Sequence, residues 1–158
     1  MGEITIRQYK DSDKDKIWDL HIKVLEDAGA LADSGPWDDD LKNIQHEYIS
    51  GGGTFLVGLS GDEIVVMGAL KVVDNNNVEI KRMRVLPKYQ RKGLGQLMLD
   101  KLEEKAVGSG YNQIQLDTTD KQIAAQNFYV KNGYKEVSRI KGKKFESIIY
   151  KKNLVAGI

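Results

Sequence analysis

The chain has 158 residues, and 24 lysines and arginines stand against 23 aspartates and glutamates, for a formal net charge of +1. That length lets one domain, read as residues 1–158, bury around 68–70% of its unfolded surface without staples, and the balanced charge offers no field for nucleic acid. The absence of cysteine excludes disulfides, thiolate metal sites and a covalent acyl-cysteine intermediate, so any acyl transfer must run directly from donor to acceptor.

The first residues contain no apolar signal core, and Ile6 stands where a myristoylation signal needs Ser or Thr. No run approaches the ~20 apolar residues of a membrane span, so the chain reads as soluble and cytoplasmic, with no membrane partner. Residues 3–9 alternate as a first strand. Asp11, Ser12 and Asp13 offer caps for a helix carrying Ile17, Leu20, Val24 and Leu25 at helical spacing. After a break over 29–36, a second helix is expected, with Trp37, Leu41, Ile44 and Tyr48 on one stripe. Its first turn would hold Asp38, Asp39 and Asp40, where carboxylates favour the positive end of the helix dipole. His21 and His46 share no ligand spacing, which points to packing or surface roles and away from metal.

Residues 54–59 and 63–72 are β-branched apolar runs joined by Ser60-Gly61-Asp62, a hairpin. A turn at Asp74-Asn75-Asn76-Asn77 leads into a third strand, alternating from Val78 to Leu86 and stopped by Pro87. A helix from Leu94 places Leu97, Met98, Leu102 and Ala106 on one face and ends at Gly108-Ser109-Gly110. A strand over 113–118, a helix over 121–132 closed by Gly133, and a hairpin of 134–140 with 145–151 complete the chain. The order βααβββαβαββ describes an α/β fold with a mixed, mostly antiparallel sheet, a helical crossover after the long strand and helices on both faces.

Between the long strand and its helix lies Gln90-Arg91-Lys92-Gly93-Leu94-Gly95. Two glycines, unpaired helix N–H groups and a positive dipole end form a ready phosphate cradle. Lys81, Arg82, Arg84, Lys88, Arg91 and Lys92 surround it with no acid among them, a local charge suited to a ligand with several phosphates. A solvated strand edge followed by an ordinary helix entry is the competing description. A dinucleotide fingerprint would need a third glycine where Met98 stands, and Gly-Lys-Ser/Thr occurs nowhere, so neither nucleotide loop fits.

Q-R-K-G-L-G after a strand ending R-V-L-P, together with A-x-x-x-F-Y-V-K-N-G-Y about 35 residues on, resembles the GCN5-related N-acetyltransferase (GNAT) family. The resemblance is carried by residues 78–137 and extends to the order of elements throughout. It implies the N-acetyltransferase fold, acetyl-CoA as co-substrate, no metal, and direct acetyl transfer to a primary amine of a small molecule or peptide. By the family's pattern, the pyrophosphate would lie on the turn opened by Gln90, against the amides of Arg91, Lys92, Gly93, Leu94, Gly95 and Gln96. Met83, Arg84 and Val85 would offer backbone groups to the pantetheine and the acetyl oxygen, the donated N–H groups acting as an oxyanion hole. Gln122 takes the place of an asparagine that contacts the pantetheine arm in many relatives. Tyr129 holds the position of the general acid that protonates the leaving sulfur, a phenol near ~10 being protonated at neutral pH. The competing account of Tyr129 is a core aromatic beside Phe128.

Glu79 matches a position where several relatives carry a glutamate base. Strict alternation would put it on one face of the strand with Met83, ~13 Å away. A solvated carboxylate paired with Lys81 or Arg82 is the other account. In the resembled fold the first interhelix region borders the amine, so Asp38, Asp39 and Asp40, with Asp33, form a candidate acidic rim for a cationic acceptor. Two other activities remain open on the same fold: a non-catalytic acyl-CoA-binding domain, and a transferase of a longer acyl group. The acceptor's identity is not written in these motifs, nor is the choice between monomer and homodimer.

Overall fold

The computed structural model describes residues 2–29 and 35–154. Its centre is a seven-stranded sheet of β1 (Ile4–Gln8), β2 (Thr54–Ser60), β3 (Glu63–Val72), β4 (Asn77–Val85), β5 (Gln113–Thr119), β6 (Lys135–Lys141) and β7 (Glu146–Asn153), in the order β1-β2-β3-β4-β5-β7-β6. Every adjacent pair is antiparallel except β4 and β5. Those two are joined by the crossover helix α2 (Leu94–Gly108), as parallel neighbours require. The expected hairpins and crossover are all present.

Helix α1 (Lys14–Asp27) buries Ile17, Leu20 and His21. Asp13 precedes it and accepts two bonds from Arg7, at 2.7 and 2.8 Å, and one from the Lys10 amide at 2.9 Å. Helix α2 buries Leu94, Met98, Leu99, Leu102 and Ala106. Helix α3 (Ile123–Lys131) is short and ends at Gly133, whose φ of 91° suits a residue without Cβ. Core side chains from both sides of the sheet, among them Phe55, Met67, Met98, Leu102 and Ile114, are fully enclosed.

The expected second helix is replaced by two short pieces, a tighter 3-10 stretch at Pro36–Lys42 and a wider π turn at Gln45–Ile49. Leu41, Ile44 and Tyr48 are buried as the stripe required, but Trp37 is 67% exposed. Asn43, at φ −145° and ψ 51°, separates the two pieces, and the 3-10 winding turns Asp38 and Asp40 inward where a regular helix would have aimed them elsewhere.

Candidate functional site

The parallel pairing of β4 with β5 covers only Asn77, Val78 and Glu79, opposite Gln113, Ile114 and Gln115. Beyond Glu79 the strands part, and a cleft of about 450 Å³ opens between them, lined by Ile80, Arg82, Arg84, Asp117, Gln122 and Tyr129 among others. A strand edge left in this way presents backbone donors and acceptors to a ligand. Leu86 donates to Val65 O on β3 at 2.8 Å, while Val85 O accepts Gln90 Nε2 at 3.1 Å. Val85 therefore turns its backbone groups away from β3, toward the open side.

A β-bulge interrupts β4. Ala69 pairs with Lys81 and Met67 with Arg84, so Gly68 faces two residues, Arg82 and Met83, and Arg82 takes a left-handed φ of 57°. A Cβ on Gly68 would lie 2.9 Å from each of Met83 Sδ, Met98 Cγ and Leu102 Cδ1, so Met83 projects toward α2. Arg84 lies opposite Met67 and Glu79 opposite Lys71, on the other face. The extra residue thus reverses the parity that alternation assumed, and Glu79 and Met83 stand on opposite faces. Glu79 does not line the cleft; its carboxylate is 3.4 Å from the ammonium of Lys81, which does.

The basic turn keeps the shape its glycines suggested. Arg91 and Gly93 have φ of 62° and 84°, and Gly93 caps α2. Among the described residues the amides of Arg91, Lys92, Gly93, Leu94, Gly95 and Gln96 donate to no protein acceptor, so six consecutive N–H groups are free at a helix start. The space over Gly93 is open, and a Cβ on Gly95 would meet only Phe128, at 4.0 Å. A phosphate-bearing ligand fits these donors. The Gln96 side chain faces elsewhere, bonded to Asn132 at 2.8 Å and Asp100 at 2.9 Å.

Tyr129 lies on the cleft wall, packed edge-on against Phe128 and Tyr134. Burial pushes its pKa up to about 12 with Arg84 pulling the other way, so the phenol is protonated at neutral pH. Among the described residues its hydroxyl has no hydrogen-bond partner. Gln122 accepts from Thr118 Oγ1 at 2.8 Å and from the Thr119 amide at 3.1 Å, which leaves its amide nitrogen free at the cleft.

The acidic triplet is divided. Arg82 binds Asp40 through Nε at 3.0 Å and Nη2 at 2.5 Å, Asp38 at 3.1 Å and Trp37 O at 3.0 Å, while Tyr48 donates to Asp40 at 2.5 Å. Asp39 faces solvent, 3.7 Å from Lys42, and Asp33 lies outside the described residues. A continuous acidic rim is therefore absent from the described residues: two of its members are spent on Arg82. Burial raises the carboxyl pKa of Asp40, but Arg82 and Tyr48 outweigh it and hold the group below its usual range. His21 is buried with Nε2 3.3 Å from Asp38, and burial pushes its pKa down. No group of three His, Asp or Glu side chains converges as a metal site would among the described residues.

Two features escape sequence reading. Arg82 and Arg84 look alike in the basic run, yet one is neutralised and the other is not. The meeting of Asp38 and Asp40 with Arg82 spans more than forty residues and leaves no local signal. Asp117 was detectable, as a charged residue on the polar face of an alternating strand that shares its face with Gln115 and Glu79.

The family model described as "Acetyltransferase (GNAT) family" matches residues 16–134. An uncharacterized N-acetyltransferase of Bacillus subtilis, YsnE, is 38% identical over 65 residues, 41% of this chain and 43% of that protein. The N-acetylaspartate synthetase of Xenopus tropicalis is 31% identical over 100 residues, 62% of this chain and 37% of that one. The matches thus span less than half the length of either relative. A GNAT-family acetyltransferase of Staphylococcus aureus Mu50, known from a crystal structure, superposes with a TM-score of 0.86 at 28% identity, over 97% of this chain and all of its own.

Proposed function

Because the chain belongs to the acetyltransferase (GNAT) family, we propose that it transfers an acetyl group from acetyl-CoA directly to a primary amine in a ternary complex. The observation that carries this reading is the row of six free amides at the start of α2, next to a cleft holding an unpartnered phenol. Bound acetyl-CoA supplies a thioester: the amine nitrogen bonds to its carbonyl carbon, the carbon–sulfur bond breaks, the amine loses a proton and the thiolate gains one.

The chain's own groups divide that work. The turn amides and the positive end of α2 hold the pyrophosphate, with Arg91 and Lys92 exposed beside it. The open edge of β4 offers the backbone groups of Val85, with Met83 at the bulge, to the pantetheine and the carbonyl oxygen, whereas Arg84, paired with Met67, turns its own toward β3; the free nitrogen of Gln122 faces the same cleft. Tyr129 donates its proton to the departing sulfur. An ammonium titrates near ~10.4, so a base must act at neutral pH. We assign that role to Glu79 working through water past Lys81, with Asp117, on the same face and in the cleft wall, as the alternative.

The experiment is thiol release from acetyl-CoA across a panel of primary amines, with mass spectrometry of the products. Release of one thiol per acetylated amine is expected. Tight coenzyme A binding without turnover of any amine would make the chain an acyl-CoA-binding domain, and turnover only with longer donors would make it a transferase of another acyl group. The relative named N-acetylaspartate synthetase puts amino acids on the panel beside polyamines, aminoglycosides and peptides.

A further inference from the structure

The cleft wall carries four cations: Lys71, Lys81, Arg82 and Arg84. Three have carboxylates of their own. Lys71 lies 3.5 Å from Glu47, Lys81 3.4 Å from Glu79, and Arg82 holds Asp38 and Asp40. Arg84 has none among the described residues; its one hydrogen bond runs from Nη1 to the carbonyl of Met83 at 2.9 Å.

That leaves an odd position for a guanidinium. Arg84 is only partly exposed, and both burial and the neighbouring charge of Arg82 oppose its ionised form. Four of its five N–H donors have no protein acceptor, in a planar fork that matches a carboxylate. An anion delivered from outside would relieve this cost with a two-pronged, charge-assisted contact.

The donor's phosphates are not the fitting anion. Their cradle is the turn over residues 91–96, at the start of α2, whereas the bulge sends Met83 toward α2 and Arg84, opposite Met67, to the other face. That face also carries Asp117, which lines the cleft and forms no ion pair among the described residues. Of the cleft's two carboxylates, Asp40 is held by Arg82 and Tyr48, which leaves Asp117 able to meet an ammonium.

We propose that the acceptor is an amino acid, or another amine bearing a carboxylate, and that the Arg84 guanidinium selects it by gripping that carboxylate. The inference rests on the acetyltransferase reading and replaces a polycationic acceptor with one whose charges oppose each other. Arg84 then acts as a specificity-determining residue.

The test compares amino acids with their carboxamides and their decarboxylated amines as acetyl acceptors. Wild type should favour the free acid in kcat/KM over the carboxamide by about 10- to 100-fold, the worth of a charged hydrogen bond at this depth. Arg84→Gln should bring that ratio close to one, and Arg84→Lys should keep part of it; the ratio cancels any common effect on donor binding. A preference for amines without a carboxylate, or the same ratio in Arg84→Gln, would overturn the proposal. So would weakened coenzyme A binding with selectivity unaltered, which would return Arg84 to the donor. If no acceptor turns over, the acetyltransferase reading fails separately, and calorimetry of the amino acids into the coenzyme A complex still decides: binding lost in Arg84→Gln and kept in Arg84→Lys supports the site, and no binding to wild type refutes it. Should Arg84→Gln fail to fold, Arg84→Lys carries the comparison, with an intermediate ratio expected and a wild-type ratio fatal.

Discussion

Arg82 and Asp40 are joined by two hydrogen bonds, from Nε at 3.0 Å and Nη2 at 2.5 Å, across 42 residues of sequence. The pair fastens the 3-10 stretch to the bulge of β4 and so shapes the cleft from one side. Removing one partner of a buried ion pair costs about 3–5 kcal/mol, because the other charge is left unpaired. Arg82→Gln should lower the melting temperature by roughly 6–20 °C at this chain length. Arg82→Lys should recover only part, since an ammonium cannot reproduce the fork. Thermal unfolding by circular dichroism decides, and a midpoint equal to wild type would show that the pair adds no stability.

Gly93 tests the donor site. A Cβ there meets nothing within 4 Å, so space does not forbid a side chain, and aspartate is among the residues that tolerate the left-handed φ of 84°. Gly93→Asp sets an anion among the free amides, and coenzyme A affinity should fall by about tenfold or more. Unchanged calorimetric affinity in the folded variant would move the phosphates elsewhere.

Tyr129→Phe keeps the packing against Phe128 and Tyr134 and removes only the hydroxyl, which has no protein partner to orphan. Stability should be retained while kcat falls by about 10²–10⁴, with acetyl-CoA affinity little altered. A kcat within about twofold of wild type would make the residue structural.

Glu79→Gln and Asp117→Asn separate the two proton acceptors. Loss of the base should lower kcat/KM near neutrality and shift the rising limb of the pH profile upward, since the reaction then waits for free amine. The variant whose profile shifts identifies the base, and two unshifted profiles would assign the proton to solvent.

His21 makes stability depend on pH. Burial holds its native pKa below the unfolded value of 6.5, with Asp38 opposing and Arg82 and Arg84 adding to the shift. Below pH 6.5 the unfolded chain binds the extra proton first, so stability is complete above 6.5 and declines as pH falls toward the native pKa, by at most about 1.4 kcal/mol per unit. Asp38 and Asp40, held below their ordinary 3.8, add further loss only in stronger acid. His21→Gln should flatten urea midpoints between pH 6.5 and 5, and a slope matching wild type would exclude His21 as the source.

Local chemistry was legible from the sequence alone. Seven strands, the crossover helix, the glycine turn and the aromatic block of α3 all follow from short-range periodicity, Gly and Pro placement and two motifs, because those effects act within a few residues. Tertiary structure decided the rest. The inserted Arg82 in β4 reversed the faces of Glu79 and Met83, and a bulge is set by the register against β3, not by β4's own pattern. Which carboxylates reach Arg82, and that Arg84 is left without one, depends on the 3-10 stretch docking beside a strand some forty residues away. Charge in the sequence is a count; only packing determines which charges are already neutralised and which still face a ligand.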